Sequence, residues 1–222
     1  VNAFNLAERF RTPVMLMADG EIGHIKEKIS IPEKVGIIDR KRPLEPECAP
    51  FGTDDPSGVP EMPRFGEGYK LLVTGSTHRP TGVRDYSPNY HQMKVDRIRG
   101  KILNAEKEIR DAVEVDLEDA NLAVLSFGAS ARPSYGAVKK ARANGMKAGL
   151  LRLRTLWPFP ESLISELADR VDSFLVVEMN VGKLVKEVER VVCGRTGVQS
   201  IARIGGVLPK VEEIFKAIRR VV

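Results

Sequence analysis

Ser173-Phe-Leu-Val-Val-Glu178-Met-Asn180-Val-Gly182-Lys-Leu-Val-Lys-Glu-Val-Glu-Arg-Val-Val192 decides the fold. Residues 174–177 form an unbroken apolar run that stops at a carboxylate. A polar turn follows, with Asn180 and Gly182, and apolar positions then recur at 184, 185, 188, 191 and 192. An uninterrupted run fits a strand covered on both faces, and the second pattern, near period 3.6, fits an amphipathic helix. The stretch is one strand-turn-helix unit.

Units of the same kind lie on both sides of it. Leu122-Ala-Val-Leu-Ser-Phe127 leads through Gly128-Ala-Ser-Ala-Arg132 into a helix near Pro133, a good first-turn residue, and that helix stops at Asn144-Gly145. A strand over 148–153 leads through Thr155-Leu-Trp157-Pro-Phe-Pro160 to a helix bearing Leu163, Ile164 and Leu167. A strand over 198–204 leads through Gly205-Gly206 to Pro209 and a helix with Val211, Ile214, Phe215 and Ile218. Four such repeats predict a three-layer αβα domain over 121–222, with a parallel sheet and right-handed crossovers. The Gly128 turn lacks the spacing of a dinucleotide or phosphate loop, so a tight strand-to-helix turn is the plainer reading. Glu178, at a strand's end, is placed as a catalytic carboxylate would be.

Residues 1–24 carry a smaller unit. Phe4, Leu6, Ala7 and Phe10 line one helix face, and 13–18 reads as a short buried strand ending at Asp19-Gly20-Glu21. A carboxylate at a strand's end can face a ligand, although a capping turn explains Asp19 as well. His24 is surface or site. Residues 25–90 hold nine of the 14 prolines and only short strand-like pieces, at 28–31, 35–38 and 69–73. Proline removes ladder donors, so long central strands are excluded there. This stretch reads as an ordered linker. Within it, Val73-Thr-Gly75-Ser-Thr-His78-Arg-Pro-Thr-Gly82 is a hydroxyl-rich turn in which His78 is a candidate for facing substrate or cofactor. A helix is predicted over 91–114, from Ile98, Ile102, Ala105, Ile109 and Ala112. Linker and helix together make 25–120 the connecting region.

The chain has 222 residues, 42% of them hydrophobic, enough for a packed core. No apolar run reaches the ~18 residues of a membrane span, and no signal peptide is visible at the first residues. The absence of a starting Met and the apolar pattern at the first residue predict a chain cut from a longer one. Cys48 and Cys193, the only cysteines, cannot form a zinc knuckle or a four-cysteine iron–sulfur site. Two separated cysteines fit a reducing, cytoplasmic compartment. The net charge of +5 comes from 35 basic and 30 acidic residues, interspersed as on a solvated surface and not as a nucleic-acid footprint. Abundant Lys, Arg and Glu beside two Gln lean towards a thermophile.

Five segments carry a family resemblance: Arg11-Thr-Pro-Val-Met-Leu-Met-Ala-Asp19, Val73-Thr-Gly-Ser-Thr-His78, Leu122-Ala-Val-Leu-Ser-Phe-Gly-Ala-Ser130, Leu153-Arg-Thr-Leu-Trp-Pro-Phe-Pro160 and Val176-Val-Glu-Met-Asn-Val-Gly182. In their order the chain resembles the C-terminal portion of the α subunit of 2-oxoacid:ferredoxin oxidoreductases, most nearly the 2-oxoglutarate type. It departs from the family at Lys183, where Gln is usual. The resemblance implies that 1–24 ends a pyrimidine-type thiamine diphosphate domain and that 121–222 is a transketolase C-terminal-like domain. It implies oxidative decarboxylation of a 2-oxoacid, giving acyl-coenzyme A and reduced ferredoxin. Thiamine diphosphate with Mg and the iron–sulfur clusters would be bound mainly by partner subunits or domains, with none on this chain alone. The implied partners are a β subunit, further γ and δ subunits, ferredoxin, the 2-oxoacid and coenzyme A, with no nucleic acid or membrane.

No catalytic or metal-binding residue carries over, because the substrate and aminopyrimidine motifs of the family lie upstream; Asp19 and His78 remain site-proximal candidates. By itself the chain is expected to be inactive. Within the transketolase-like domain, Trp157, Glu178, Asn180, Gly182 and Lys183 read better as a subunit seam than as a catalytic centre. Two rival functions stay open: a noncatalytic αβα assembly or regulatory module, and an independent nucleotide-binding αβα protein using 128–132.

Overall fold

A computed structural model describes residues 1–45 and 47–221, leaving out the side chain of Glu21. Two compact units emerge. One comprises Val1–Leu16 and Lys28–Ile109, the other Met17–Glu27 and Arg110–Val222.

The second unit is the αβα domain. Its strands are β1 (Ala112–Val115), β2 (Leu122–Phe127), β3 (Ala148–Leu153), β4 (Ser173–Glu178) and β5 (Gly197–Ala202), in a five-stranded sheet of order β1-β3-β2-β4-β5. β2 to β5 are parallel, and β1 runs antiparallel beside β3. A single turn of 3-10 helix (Gly128–Ser130) and a long helix (Ala131–Ala143) follow β2. Helices Glu161–Ala168, Leu184–Val192 and Val211–Val221 follow β3, β4 and β5.

Alternation along the strands builds two cores. On one face Leu122, Val124, Leu150, Leu175 and Val177 pack under Val138, Ile214, Phe215 and Ile218. On the other Ala123, Leu125, Leu151, Phe174 and Val176 pack under Ile164, Leu167, Leu184 and Val188. Each buried aliphatic or aromatic side chain stabilises by about 1.5–3 kcal/mol, so this double core is what makes the unit cohere.

The edge strand β1 departs from the sequence reading, in which a helix continues to Glu114 and the sheet is wholly parallel. The helical segments end earlier, as α3 (Pro88–Leu103) and α4 (Glu106–Ile109). Ile109 packs in the first unit's core and Ala112 against the second unit's. The regular apolar spacing therefore reports two separate cores and not one helix face. Val113 and Val115, stiff β-branched residues, favour the strand. Ile98, assigned to the packed face, is 42% exposed.

In the first unit α1 (Asn2–Phe10) and the helices α3 and α4 enclose a small core of Phe10, Val59, Ile102 and Ile109, flanked by Leu6 and Ala105. The strand-like pieces at 28–31, 35–38 and 69–73 stay irregular, and the bridge between His78 and Arg84 lies outside any strand. Residues 13–18 are also not a strand: Met15 and Leu16 are each 85% exposed. Their composition is that of a doubly covered strand, but no described strand lies beside them to pair their backbone. The short helix α2 (Gly20–His24) follows, with His24 exposed.

What orders the irregular linker is a set of cations that bind carbonyls. Arg11 Nη1 donates to the carbonyls of Pro50, Pro60 and Glu61 at 2.6, 3.0 and 3.2 Å. Arg97 reaches Gly58 O at 2.7 Å and Phe51 O at 3.2 Å. Lys101 Nζ donates to Phe10 O at 2.6 Å and Arg11 O at 3.0 Å, closing the C-terminal end of α1.

Candidate functional site

Ligands of parallel α/β sheets gather at the carboxyl ends of the strands, and two of those ends in the second unit are closed by the chain's own carboxylates. After β2, Gly128 adopts φ +56° and Asp19 lies against it, its Oδ2 accepting from the Ala129 N–H at 2.6 Å. A Cβ at position 128 would meet that oxygen at 2.3 Å. An ion pair between Glu27 and Arg132, at 2.5 Å, fastens the same segment to the start of the following helix. The helix dipole and free N–H groups that would favour a phosphate are thus already answered by an anion. The geometry disfavours nucleotide binding at 128–132.

After β4, Glu178 is fully buried, and its two carboxylate oxygens accept from Leu184 N at 2.8 Å and Val185 N at 3.1 Å. Asn180 Oδ1 accepts from Lys183 N at 2.8 Å, and Gly182 sits at φ +81°. Together they cap the helix Leu184–Val192 (α7) by satisfying N–H groups that have no partner within it. This caps the turn so that Val181 and Lys183 point outward, Val181 being 70% exposed. Trp157, also 70% exposed, stands at the end of β3, between Leu156 and the buried Pro158. Of the five residues expected at a seam, Trp157 and Lys183 are exposed, Asn180 is half-buried, and Glu178 and Gly182 act from inside.

His78 belongs to the first unit and is only 8% exposed. Its ring meets Phe51 edge-on with centroids 4.2 Å apart. The surrounding turn is closed by Arg79 N to Val83 O at 2.7 Å and Asp85 N to Thr77 O at 3.1 Å. Gly82 is required there, since a Cβ would lie 1.8 Å from Leu72 O. Asp85 accepts from Ser87 N and pairs with Arg79, which holds its carboxyl at about 2. His78 is thus a packing residue of this turn, and Asp19 and His78 fall in different units.

The strongly shifted cation is one that sequence reasoning missed. Burial, then Arg97 and Arg11 close by, brings the Lys101 ammonium down to about 8. The four-residue spacing of Arg97 and Lys101 put them on one helix face, but nothing in the sequence told that face from a solvated one. Burial pushes the Cys48 thiol up, so it is not poised as a thiolate.

Comparison with known proteins covers nearly the whole chain. Residues 1–97 match the family model described as pyruvate flavodoxin/ferredoxin oxidoreductase, thiamine diphosphate-binding. Residues 120–214 match pyruvate:ferredoxin oxidoreductase core domain II. Over 98% of the chain, 46% of residues are identical to "2-oxoglutarate synthase subunit KorA" of Methanothermobacter thermautotrophicus. The chain belongs to the 2-oxoacid:ferredoxin oxidoreductase α-subunit family. It spans 58% of that relative's length. "Ketoisovalerate oxidoreductase subunit VorB" of the same organism is 32% identical over the whole chain and is covered over 56% of its own length. The solved 2-oxoglutarate:ferredoxin oxidoreductase of Magnetococcus marinus superposes with a TM-score of 0.82 at 22% identity, over 97% of this chain and 38% of that one. That likeness establishes the fold.

Two cofactor types of such oxidoreductases can be tested against this α-subunit chain's donor set. An iron–sulfur cluster takes four thiolates as a rule, and Cys48 and Cys193 lie in different units. The donors do not fit. Among the described residues no three of His, Cys, Asp or Glu converge as metal ligands. Among the described residues no helix is long and apolar enough to cross a membrane.

Proposed function

We propose that the chain serves in the α subunit of a cytoplasmic 2-oxoglutarate:ferredoxin oxidoreductase, which decarboxylates 2-oxoglutarate, forms succinyl-coenzyme A and reduces ferredoxin. The observation that carries this reading is the 46% identity to a 2-oxoglutarate synthase subunit, against 32% to a ketoisovalerate one from the same organism. Thiamine diphosphate, when bound, supplies the carbanion chemistry. Its Mg and the iron–sulfur clusters are bound mainly by partner subunits or domains, with a β subunit and further γ and δ subunits as the partners.

This chain's own part is assembly and positioning. The turn set by Glu178 and Asn180 presents Val181 and Lys183, and with Trp157 it forms a surface for a partner subunit. The exposed apolar run at 14–17 has the composition of a covered strand and is a second candidate for such cover. The domain boundaries at 24 and 120 follow from the same reading.

The test is reconstitution. The α subunit containing this sequence, purified with its partners, should reduce ferredoxin or a viologen dye when given 2-oxoglutarate and coenzyme A. It should prefer 2-oxoglutarate to 2-oxoisovalerate and pyruvate. Preference for a branched oxoacid would overturn the substrate assignment. Turnover by the 222-residue chain without partners would overturn the division of labour.

A further inference from the structure

The sheet of the second unit ends in two unlike edges. β1 has four residues, one of them Glu114, and runs antiparallel to its neighbour. β5 has six residues, Gly-Val-Gln-Ser-Ile-Ala, and keeps continuous parallel register with β4. Charges, prolines and bulges are the features that normally blunt an exposed edge. β5 has none of them.

The orientation of its backbone follows from one bond. Arg203 N donates to Glu178 O at 3.0 Å, just beyond the strand. In a parallel pair alternate residues turn both backbone groups to the same neighbour. Gly197, Gln199 and Ile201 therefore face β4, while Val198, Ser200 and Ala202 turn their N–H and C=O groups outward. Among the described residues nothing hydrogen-bonds those outward groups, and Ser200 and Ala202 are exposed. Water can satisfy such groups singly, but another extended backbone matches the whole row at once.

We propose that β5 pairs antiparallel with β5 of a second copy of this chain, about a two-fold axis through Ser200. The outward residues are symmetric about Ser200, which makes the edge self-complementary. Ser200 N–H then donates to the carbonyl of the partner's Ser200, and the reverse. Val198 and Ala202 exchange the same bonds with the partner's Ala202 and the partner's Val198. A strand without charge brings no like charges face to face across the axis, which an unrelated charged segment would not match as well. Opposed residues sit with Cα atoms about 5.5 Å apart in such a pair. An edge contact alone buries less than the ~800 Å² per partner of a stable interface, so the association is weak and depends on concentration.

Sedimentation equilibrium of the chain, without cofactors or other subunits, should show a monomer–dimer equilibrium. Ser200→Pro removes an N–H that faces away from β4, so it should abolish the dimer while circular dichroism and Tm stay as in the wild type. Oxidised Ser200→Cys should give a dimer linked through the introduced thiols, as mapped by peptide mass, and Gln199→Cys should not. The proposal is overturned if the wild type is monomeric throughout. It is equally overturned if the dimer survives Ser200→Pro, as association through the apolar run at 14–17 would, or if cross-links form only through Cys193. These readouts need no turnover, so the failure of an activity assay leaves them unaffected.

Discussion

Asp19 and Gly128 fit one another as an anion and the hollow that holds it: the carboxylate bonds the Ala129 N–H at 2.6 Å, in the space where a Cβ on residue 128 would stand. A segment far upstream is thereby tied to the first turn after the central strand.

Gly128→Ala should cost about 1–2 kcal/mol for the left-handed conformation alone, plus whatever is lost when Asp19 is displaced. In a double-mutant cycle with Asp19→Ala, urea denaturation should give a coupling above about 0.5 kcal/mol. Trypsin should cut faster after Lys26 in either variant. Strictly additive changes would mean that the contact does not hold the segment.

Removing the Glu178 carboxylate should be costly, because it leaves two N–H groups of α7 without acceptors in a buried place. Glu178→Ala is expected to lower stability by about 2–3 kcal/mol. Glu178→Gln keeps one carbonyl acceptor and should lose less. An equal loss in both variants would show that the charge, and not the acceptor geometry, is what matters.

Lys101 makes stability depend on alkaline pH. Its folded value, about 8, lies below the ordinary lysine value of 10.5. Between those values the unfolded chain holds a proton that the folded chain does not, so this group's contribution to stability rises with pH across that window. Below about 8 both states are charged, and the full cost of burying the ammonium beside Arg97 and Arg11 is felt. The stability of the wild type relative to Lys101→Met should therefore increase from pH 8 to 10.5, and stay level below 8. A fall over the same range would contradict the assignment.

If Trp157 lies at a subunit seam, Trp157→Ser should leave the Tm of the isolated chain almost unchanged, since the side chain is 70% exposed. The same variant should reduce the recovery of partner subunits in a pull-down from reconstituted enzyme. Unchanged recovery would remove Trp157 from the seam.

The αβα domain was legible in residues 121–222 because doubly covered strands and amphipathic helices leave strong, short-range apolar patterns. The strands ending at Phe127, Leu153 and Glu178 stand where those patterns place them. Hydrogen bonds between segments distant in the chain leave no such trace. That Asp19 fills the Gly128 turn, that Lys101 closes α1 and that Ala112 starts an edge strand were decided by tertiary neighbours. The apolar run at 13–18 shows the limit from the other side: its composition is that of a strand, but a strand exists only where another backbone lies beside it.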